Sequence, residues 1–299
     1  MALNLNAIIS MMQDLTGDYD DTSQKLFVRF VNMAYRDVWS DFEWPERRAD
    51  TWVRTYAPYV TGTVSITQDA AAITGVGTVF PATVASVPWR FAKSYSDPWY
   101  VVSARGGDTT LTLAENYTET TLSGAGYVLY ANVFSLPANA EEVRYVTLHK
   151  SGYTNPDPIT KRTMDELAVL PSRVGVPTEW CVGSNDSSGY LTIQLGTVPD
   201  AIYRLHVFYL KKITELVNLS DVPLLEERRR DLILERAMWH AYRFRNDSPK
   251  AADQLVLYER RLGEAIFKEK QSSASPQFQT FDSQPDDPLF NYTWPAEAP

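Results

Sequence analysis

A single cysteine, Cys181, stands in this 299-residue chain. It can form no intramolecular disulfide, so nothing here implies an oxidising compartment. Only three histidines occur, His149, His206 and His240, and none has a partner at the spacing that puts two ligands on one helix face. No run approaches the ~18 apolar residues of a membrane span, so no membrane partner is expected. The opening MALNLNAIISMMQDLTGDYD has neither a basic n-region nor a long apolar stretch and predicts no signal or transit peptide. Basic residues are outnumbered, 28 Lys and Arg against 37 Asp and Glu, for a formal charge of −9. Chains that grip phosphates carry a basic surplus or patch, so tight duplex binding is not expected. Standing beside DNA that slides past is compatible with this charge.

Catalytic patterns are missing as well. No G-x-S-x-G elbow is present. Gly75-x-Gly77 lacks the third glycine and the Lys-Ser/Thr of phosphate loops and reads as a turn. Asp14, Asp18, Asp20 and Asp21 crowd one loop, but the glycine and distal Glu of a calcium loop are not at the required positions. Helix capping accounts for Asp21 and solvation for the rest. Cys181 follows Trp180 at a strand start and reads as a small buried hydrophobe. The chain therefore predicts no enzyme activity, no catalytic residue, no metal and no cofactor.

Apolar residues are plentiful at 44%, enough for a sizeable core, and 17 Tyr, 12 Phe and 8 Trp provide contact surface suited to wet interfaces. Residues 5–16 predict a short helix. A second is predicted over 22–42, capped by Asp21, with Leu26, Phe27, Phe30, Val31, Ala34, Tyr35, Val38 and Trp39 forming one stripe at spacings of three and four. A strand is expected over 47–56. From Tyr59 to Phe134 the composition shifts: only Arg90, Lys93 and Arg105 are basic, while Thr, Gly and short alternating runs predominate. That pattern predicts a small β-barrel or sandwich inserted in a mixed chain. Further strands are expected over 141–149 and after Trp180, with a short helix over 162–170. Tyr190–Leu195 and Tyr203–Tyr209 both alternate around Gly196-Thr197-Val198-Pro199-Asp200 and predict a hairpin. Helices follow over 224–245 and from Ser248, with Pro249 at its first helical position, to about Gln271. Residues 272–299 hold five Pro and five aromatics among polar residues and predict an extended tail. Glu226-Glu227-Arg228-Arg229-Arg230-Asp231 is a mixed charge run at a helix start, readable as a solvated face or as an intersubunit contact.

In order and spacing, three blocks resemble the head-to-tail adaptor (head completion or connector) proteins of tailed bacteriophages. The first is Asn32-Met33-Ala34-Tyr35-Arg36-Asp37-Val38-Trp39 with Phe42-Glu43-Trp44-Pro45. The second runs from Thr61-Gly62-Thr63-Val64-Ser65-Ile66 through Gly75-Val76-Gly77-Thr78 to Thr109-Thr110-Leu111-Thr112-Leu113. The third runs from Gly175-Val176-Pro177-Thr178 through Pro199-Asp200, Tyr203-Arg204-Leu205 and Phe208-Tyr209 to Glu235-Arg236-Ala237-Met238-Trp239, and closes with Lys250-Ala251-Ala252 and Tyr258-Glu259. The resemblance implies a structural virion protein at the head-tail junction, made in the host cytoplasm. It implies a ring homo-oligomer, usually of twelve copies, beneath the portal protein, joined to a tail or nozzle protein. The DNA exit channel would run through it, with no specific DNA binding and no catalytic residues to carry over.

The resulting expectation is an α+β fold: a helical bundle with a small antiparallel sheet (1–57 and 136–271), an inserted all-β domain (58–135) and an extended C-terminal docking arm (272–299). The partner-facing residues expected are Phe278, Phe281, Phe290, Tyr292 and Trp294 of the arm, with Arg228, Arg229 and Arg230. A virion-surface module binding a receptor or carbohydrate through the Thr-rich β-domain is the rival reading.

Overall fold

The computed structural model describes residues 3–150, 156–169 and 173–273. The chain is mixed α+β. Its helices are α1 (Leu5–Thr16), α2 (Asp21–Asp41), α3 (Met164–Ala168), α4 (Asp231–Phe244) and α5 (Ser248–Ser273). Its strands begin with β1 (Arg48–Arg54), β2 (Thr63–Ile66), β3 (Ala72–Val76), β4 (Arg90–Ala92), β5 (Trp99–Arg105), β6 (Thr110–Leu113), β7 (Leu122–Ala125) and β8 (Val128–Tyr130). They continue with β9 (Val133–Ser135), β10 (Ala140–His149), β11 (Asp157–Pro158), β12 (Thr160–Lys161), β13 (Arg173–Gly175), β14 (Glu179–Val182), β15 (Thr192–Leu195), β16 (Thr197–Pro199) and β17 (Arg204–Lys211). By contacts the chain divides into two units, residues 1–42 with 216–299, and residues 43–215.

In the first unit α1 packs on α2 and α4, α2 on α4, and α4 on α5. The α2 stripe is buried as its spacing predicts: Phe27, Phe30, Val31, Ala34, Tyr35, Val38 and Trp39 all face inward. Burial of each large apolar side chain in such a stripe contributes about 1.5–3 kcal/mol. The N-cap is Asp20 rather than Asp21, one residue earlier than expected. Its carboxylate accepts from the Thr22 and Ser23 amides (2.9 Å each) and from Ser23 Oγ (2.7 Å), and these bonds hold its pKa below the usual value. Helix α1 ends on Gly17, whose left-handed φ of 77° turns the chain.

Two residues of the first motif hold the incoming strand-to-helix connection. Asn32 Nδ2 donates to Leu216 O (2.9 Å), and Leu216 N donates to Asn32 Oδ1 (2.8 Å). Leu224 N donates to Tyr35 Oη (2.7 Å). Two amides of the first turn of α1, on Leu5 and Asn6, donate to Asp221 O and Leu219 O (2.9 Å each), which satisfies donors a helix start leaves unpaired. Helix α4 starts at Asp231, seven residues later than the apolar pattern suggests. Leu225 is buried, yet the chain bends at Leu224 and Leu225, then makes a 3-10 turn at Glu227–Arg229. The apolar residue ahead of the helix belongs to a packed loop.

The second unit contains several sheets. A curled, half-barrel sheet of seven strands has the order β7-β2-β3-β6-β5-β4-β8. Just ahead of β2, Gly62 at φ 82° lies against the end of β3, where an added Cβ would sit 2.5 Å from Val76 O and 2.8 Å from Gly77 C. Close backbone approach thus explains Gly62, a left-handed φ of 68° explains Gly77, and at Gly75 an added Cβ would meet the Thr78 side chain. A four-stranded sheet has the order β1-β17-β10-β11, with β1, β17 and β10 antiparallel. A second has the order β12-β14-β15-β9, and β13 pairs with β16 in parallel. Helix α3 carries a capping box, Thr163 and Glu166 exchanging side-chain-to-backbone bonds (2.9 and 3.2 Å). One hydrophobic cluster runs from Val64 and Ile66 through Phe91 and Leu129 to Trp180, Leu205 and Tyr209.

The hairpin expected between residues 190–195 and 203–209 does not form. Strand β15 pairs with β14 and β9, whereas β17 pairs with β1 and β10. The connection is itself a strand, β16, that leaves to pair with β13. Pro199, which has no N–H, ends it. Alternation identified both strands but not their neighbours, because pairing here is set by distant segments.

Candidate interaction surfaces

The charge run at residues 226–231 is folded largely onto its own unit. Arg229 is 4% exposed, its guanidinium paired with buried Glu269 of α5 and, at 3.4 Å, with Glu226. Arg228 is exposed and pairs with Glu226 (2.7 Å). Arg230 Nε donates to Leu225 O (2.9 Å), bracing the turn before α4. Nearby Glu235, also buried, pairs with Arg261; burial raises its carboxyl above the usual range, and Arg261 opposes that rise. Arg228, Arg229, Arg261 and Glu269, with Asp231, Glu264 and Lys268, line a hollow of about 330 Å³ where α4 begins and α5 ends. Both signs alternate around it, so it is a mutual ion network, not a cationic patch.

A second surface lies on α2 and α4. Asp37 accepts from Arg236 Nε (2.7 Å) and lies 3.1 Å from His240 Nε2. The Arg236 guanidinium lies 4.1 Å from the Trp239 ring and 5.2 Å from the Tyr258 ring, and Arg243 lies 4.8 Å from Trp239. Tyr258 Oη donates to Asp41 (2.6 Å). Burial lowers the pKa of His240 despite Asp37, with Arg236 and Arg243 adding to the depression. Exposed Met33 and Phe244 complete the face.

The third surface is the outer face of the β1-β17-β10 sheet. Register places His206 between Trp52 and Thr147, and Phe208 between Asp50 and Tyr145. The rings form a continuous row: Tyr145 stacks on Phe208 (4.3 Å), Phe208 meets His206 (4.1 Å), and His206 stacks on Trp52 (4.2 Å, 7° between planes). His149 meets Trp52 edge-on (4.7 Å), and the Arg204 guanidinium lies 4.6 Å from the Trp52 ring. Asp50 Oδ2 lies 2.7 Å from His206 Nε2. Trp52 and Tyr145 remain 44% and 53% exposed, so the row is presented to solvent. No motif in the sequence announced it, because its members come from three separate strands and meet only through register.

The remaining sequence candidates have structural places. Cys181 is buried, its Sγ 3.7 Å from Met164 Sδ, and desolvation raises its thiol pKa. Tyr19 Oη donates to Asp14 (3.0 Å), and Asp18 pairs with Arg245. Among the described residues no group of three or more His, Cys, Asp or Glu could hold a metal ion, and no helix is long and apolar enough to cross a membrane. The arm aromatics Phe278, Phe281, Phe290, Tyr292 and Trp294 lie outside the described residues.

The family profile described as SU10 adaptor protein matches residues 108–280, more than half of the chain. The chain belongs to that family. It is a family of phage head-to-tail adaptors, which makes this adaptor a structural phage protein. The match spans part of the curled sheet, strands β8–β17 and helices α4 and α5. No curated protein matches the chain.

Proposed function

We propose that this adaptor forms a closed ring, of twelve copies, beneath the portal protein, joins it to a tail or nozzle protein, and lines the DNA exit channel without enzymatic activity. The observation that carries the reading is the family match across β8–β17 and α4–α5. The ring follows from one chain using two different surfaces on adjacent copies, a heterologous contact that closes by rotation. The −9 formal charge supports passage of DNA over binding, since few cations stand ready to replace phosphate counterions.

Arg228 and Arg230, beside the Arg229–Glu269 pair, are the arginines of the run offered to a portal or neighbouring subunit. Residues 272–299 act as a docking arm in which prolines limit the entropy lost on ordering and aromatics supply anchors. Residues 58–135 form a unit of their own, inserted in the adaptor core. The subunit is made in the host cytoplasm and ends at the head-tail junction of the virion. Averaged images of particles test the reading: density for this chain as a ring directly beneath the portal is expected. A trimer on the capsid or fibre surface would overturn it in favour of a receptor-binding module.

A further inference from the structure

We propose that Leu289–Trp294 of a second copy adds as an antiparallel strand to the free edge of β1, extending the ring row of the outer sheet face. The inference rests on the ring reading above, which brings copies side by side.

The edge is on one side of the argument. Among the described residues, strand β1 is terminal in its sheet and pairs only with β17. Thr55 N donates to Tyr203 O (3.0 Å), in register with the β1–β17 ladder. Antiparallel pairing alternates, so Ala49, Thr51 and Val53 turn their backbone groups toward β17, and Arg48, Asp50, Trp52 and Arg54 turn theirs to the open edge. The side chains of those same four residues are exposed. Seven residues of unpaired edge bearing an exposed Trp are a template for another strand.

The segment is on the other side. Leu289-Phe290-Asn291-Tyr292-Thr293-Trp294 lies between Pro288 and Pro295, with no proline, glycine or charge inside. A proline brings no N–H to a ladder, so Pro288 and Pro295 bound a stretch of six that can donate throughout. In extended conformation Phe290, Tyr292 and Trp294 share one face. Beside β1, that face continues the row Tyr145, Phe208, His206 and Trp52. Residues 272–299 carry four acidic and no basic residues. An antiparallel arrangement brings Asp286 and Asp287 to the Arg54 end of β1. There Trp52, Val53, Arg54, Ile202 and Arg204 line an open hollow of about 470 Å³. A parallel arrangement would bring them instead toward Glu43, beside Arg48. Charge therefore selects the antiparallel direction. The fifteen residues 274–288 can span about 50 Å when extended, enough to reach a neighbouring copy. The Met33–Trp239–Phe244 face is also aromatic, but helices offer an extended segment no ladder to join.

The test uses full-length chain in assembled particles. A photoreactive benzoylphenylalanine replaces Tyr292, and particles are built from mixed ordinary and nitrogen-15 chains. Crosslinks to the peptide holding residues 48–54, in mixed-isotope pairs, are expected. Trp52→Ala should reduce them about fivefold, and Phe290→Pro and Asn291→Pro, one of each strand parity, should between them abolish them. Crosslinks confined to single copies, crosslinks to Met33, Trp239 or Phe244, crosslinks only to other proteins, or undiminished yield in both proline variants would each overturn the proposal. Image averaging of the same particles reads the ring independently, so a ring without these crosslinks sinks this inference and leaves the ring standing.

Discussion

Replacing Arg229 with alanine isolates how the charge run is used. Arg229 and Glu269 have side chains 5% and 11% exposed, so the pair is largely shielded from water. Removing the arginine takes its guanidinium away from a largely buried carboxylate. Arg228 Nη2 also lies 3.8 Å from Glu269, but on a side chain 60% exposed and bonded to Glu226. Breaking one half of a buried pair costs about 3–5 kcal/mol, whereas replacing both halves with apolar residues of similar volume is close to neutral. Arg229→Ala should therefore lower unfolding free energy by about 3–5 kcal/mol. The double variant R229M/E269M should recover most of that loss. Urea unfolding followed by far-ultraviolet circular dichroism measures both. An Arg229→Ala loss under about 1 kcal/mol, or a double variant as unstable as the sum of the singles, would refute the buried-pair account. Should R229M/E269M be stable yet fail to enter particles, Arg229 acts on a partner as well as on its own helix.

The depressed pKa of His240 has a definite sign. Its folded form binds protons less readily than the unfolded chain, so its contribution to stability is present above the ordinary value of 6.5 and is lost as pH falls below it. His240→Gln should flatten that acid-side loss, and unchanged slopes between pH 7 and 5 would remove His240 from the account. The backbones of Tyr59 and Leu129 pair (2.7 and 2.9 Å), so the 58–135 segment leaves and returns at adjacent points. Deleting residues 60–128 with a short linker should leave the helical unit with a cooperative unfolding transition; a molten or insoluble product would count against the proposed boundary. Duplex DNA should bind weakly at physiological salt, and tight binding with a steep salt slope would reveal a phosphate-binding surface.

Local order was legible in the sequence wherever one segment decides its own conformation. The α2 stripe, the strand at 48–54, the helix after Ser248 and the Thr- and Gly-rich strands of the curled sheet all follow from periodicity and turn chemistry. Pairing was less legible. The 190–209 hairpin failed because β16 leaves to join β13, and no alternation pattern encodes a neighbour. The α4 start was misplaced because Leu225 fits a helical stripe while packing from a loop. The ring row of the outer sheet face was invisible for the same reason as the failed hairpin. Tyr145, Trp52 and His206 are up to 154 residues apart in sequence and meet only by register. Arg228, Arg229 and Arg230 stand together in a mixed charge run, yet the fold sends Arg229 into a buried pair, Arg230 to a carbonyl and Arg228 to an exposed pair with Glu226.

An assembly protein must stay dispersed before it meets its partners and then bury surface against them. Exposed Trp52 and Trp99 and half-buried Trp239 show one physical route. Arg204 lies against Trp52, Arg236 and Arg243 against Trp239, and Arg90 (3.7 Å) against Trp99. A cation over an indole contributes about 0.5–1 kcal/mol at an exposed site. It also covers apolar area that would otherwise make copies adhere indiscriminately. Tryptophan and arginine are enriched among the residues that dominate interface energy once water is excluded. Covering each ring with a guanidinium therefore leaves the anchor in place. A partner that presents carboxylates can draw the cation aside and reach the ring beneath. The acidic, aromatic sequence of residues 272–299 has that chemistry, whereas the phosphates of passing DNA offer charge without a complementary apolar face. On this argument the same side chains that would let DNA slide past also favour protein partners carrying acidic, aromatic segments.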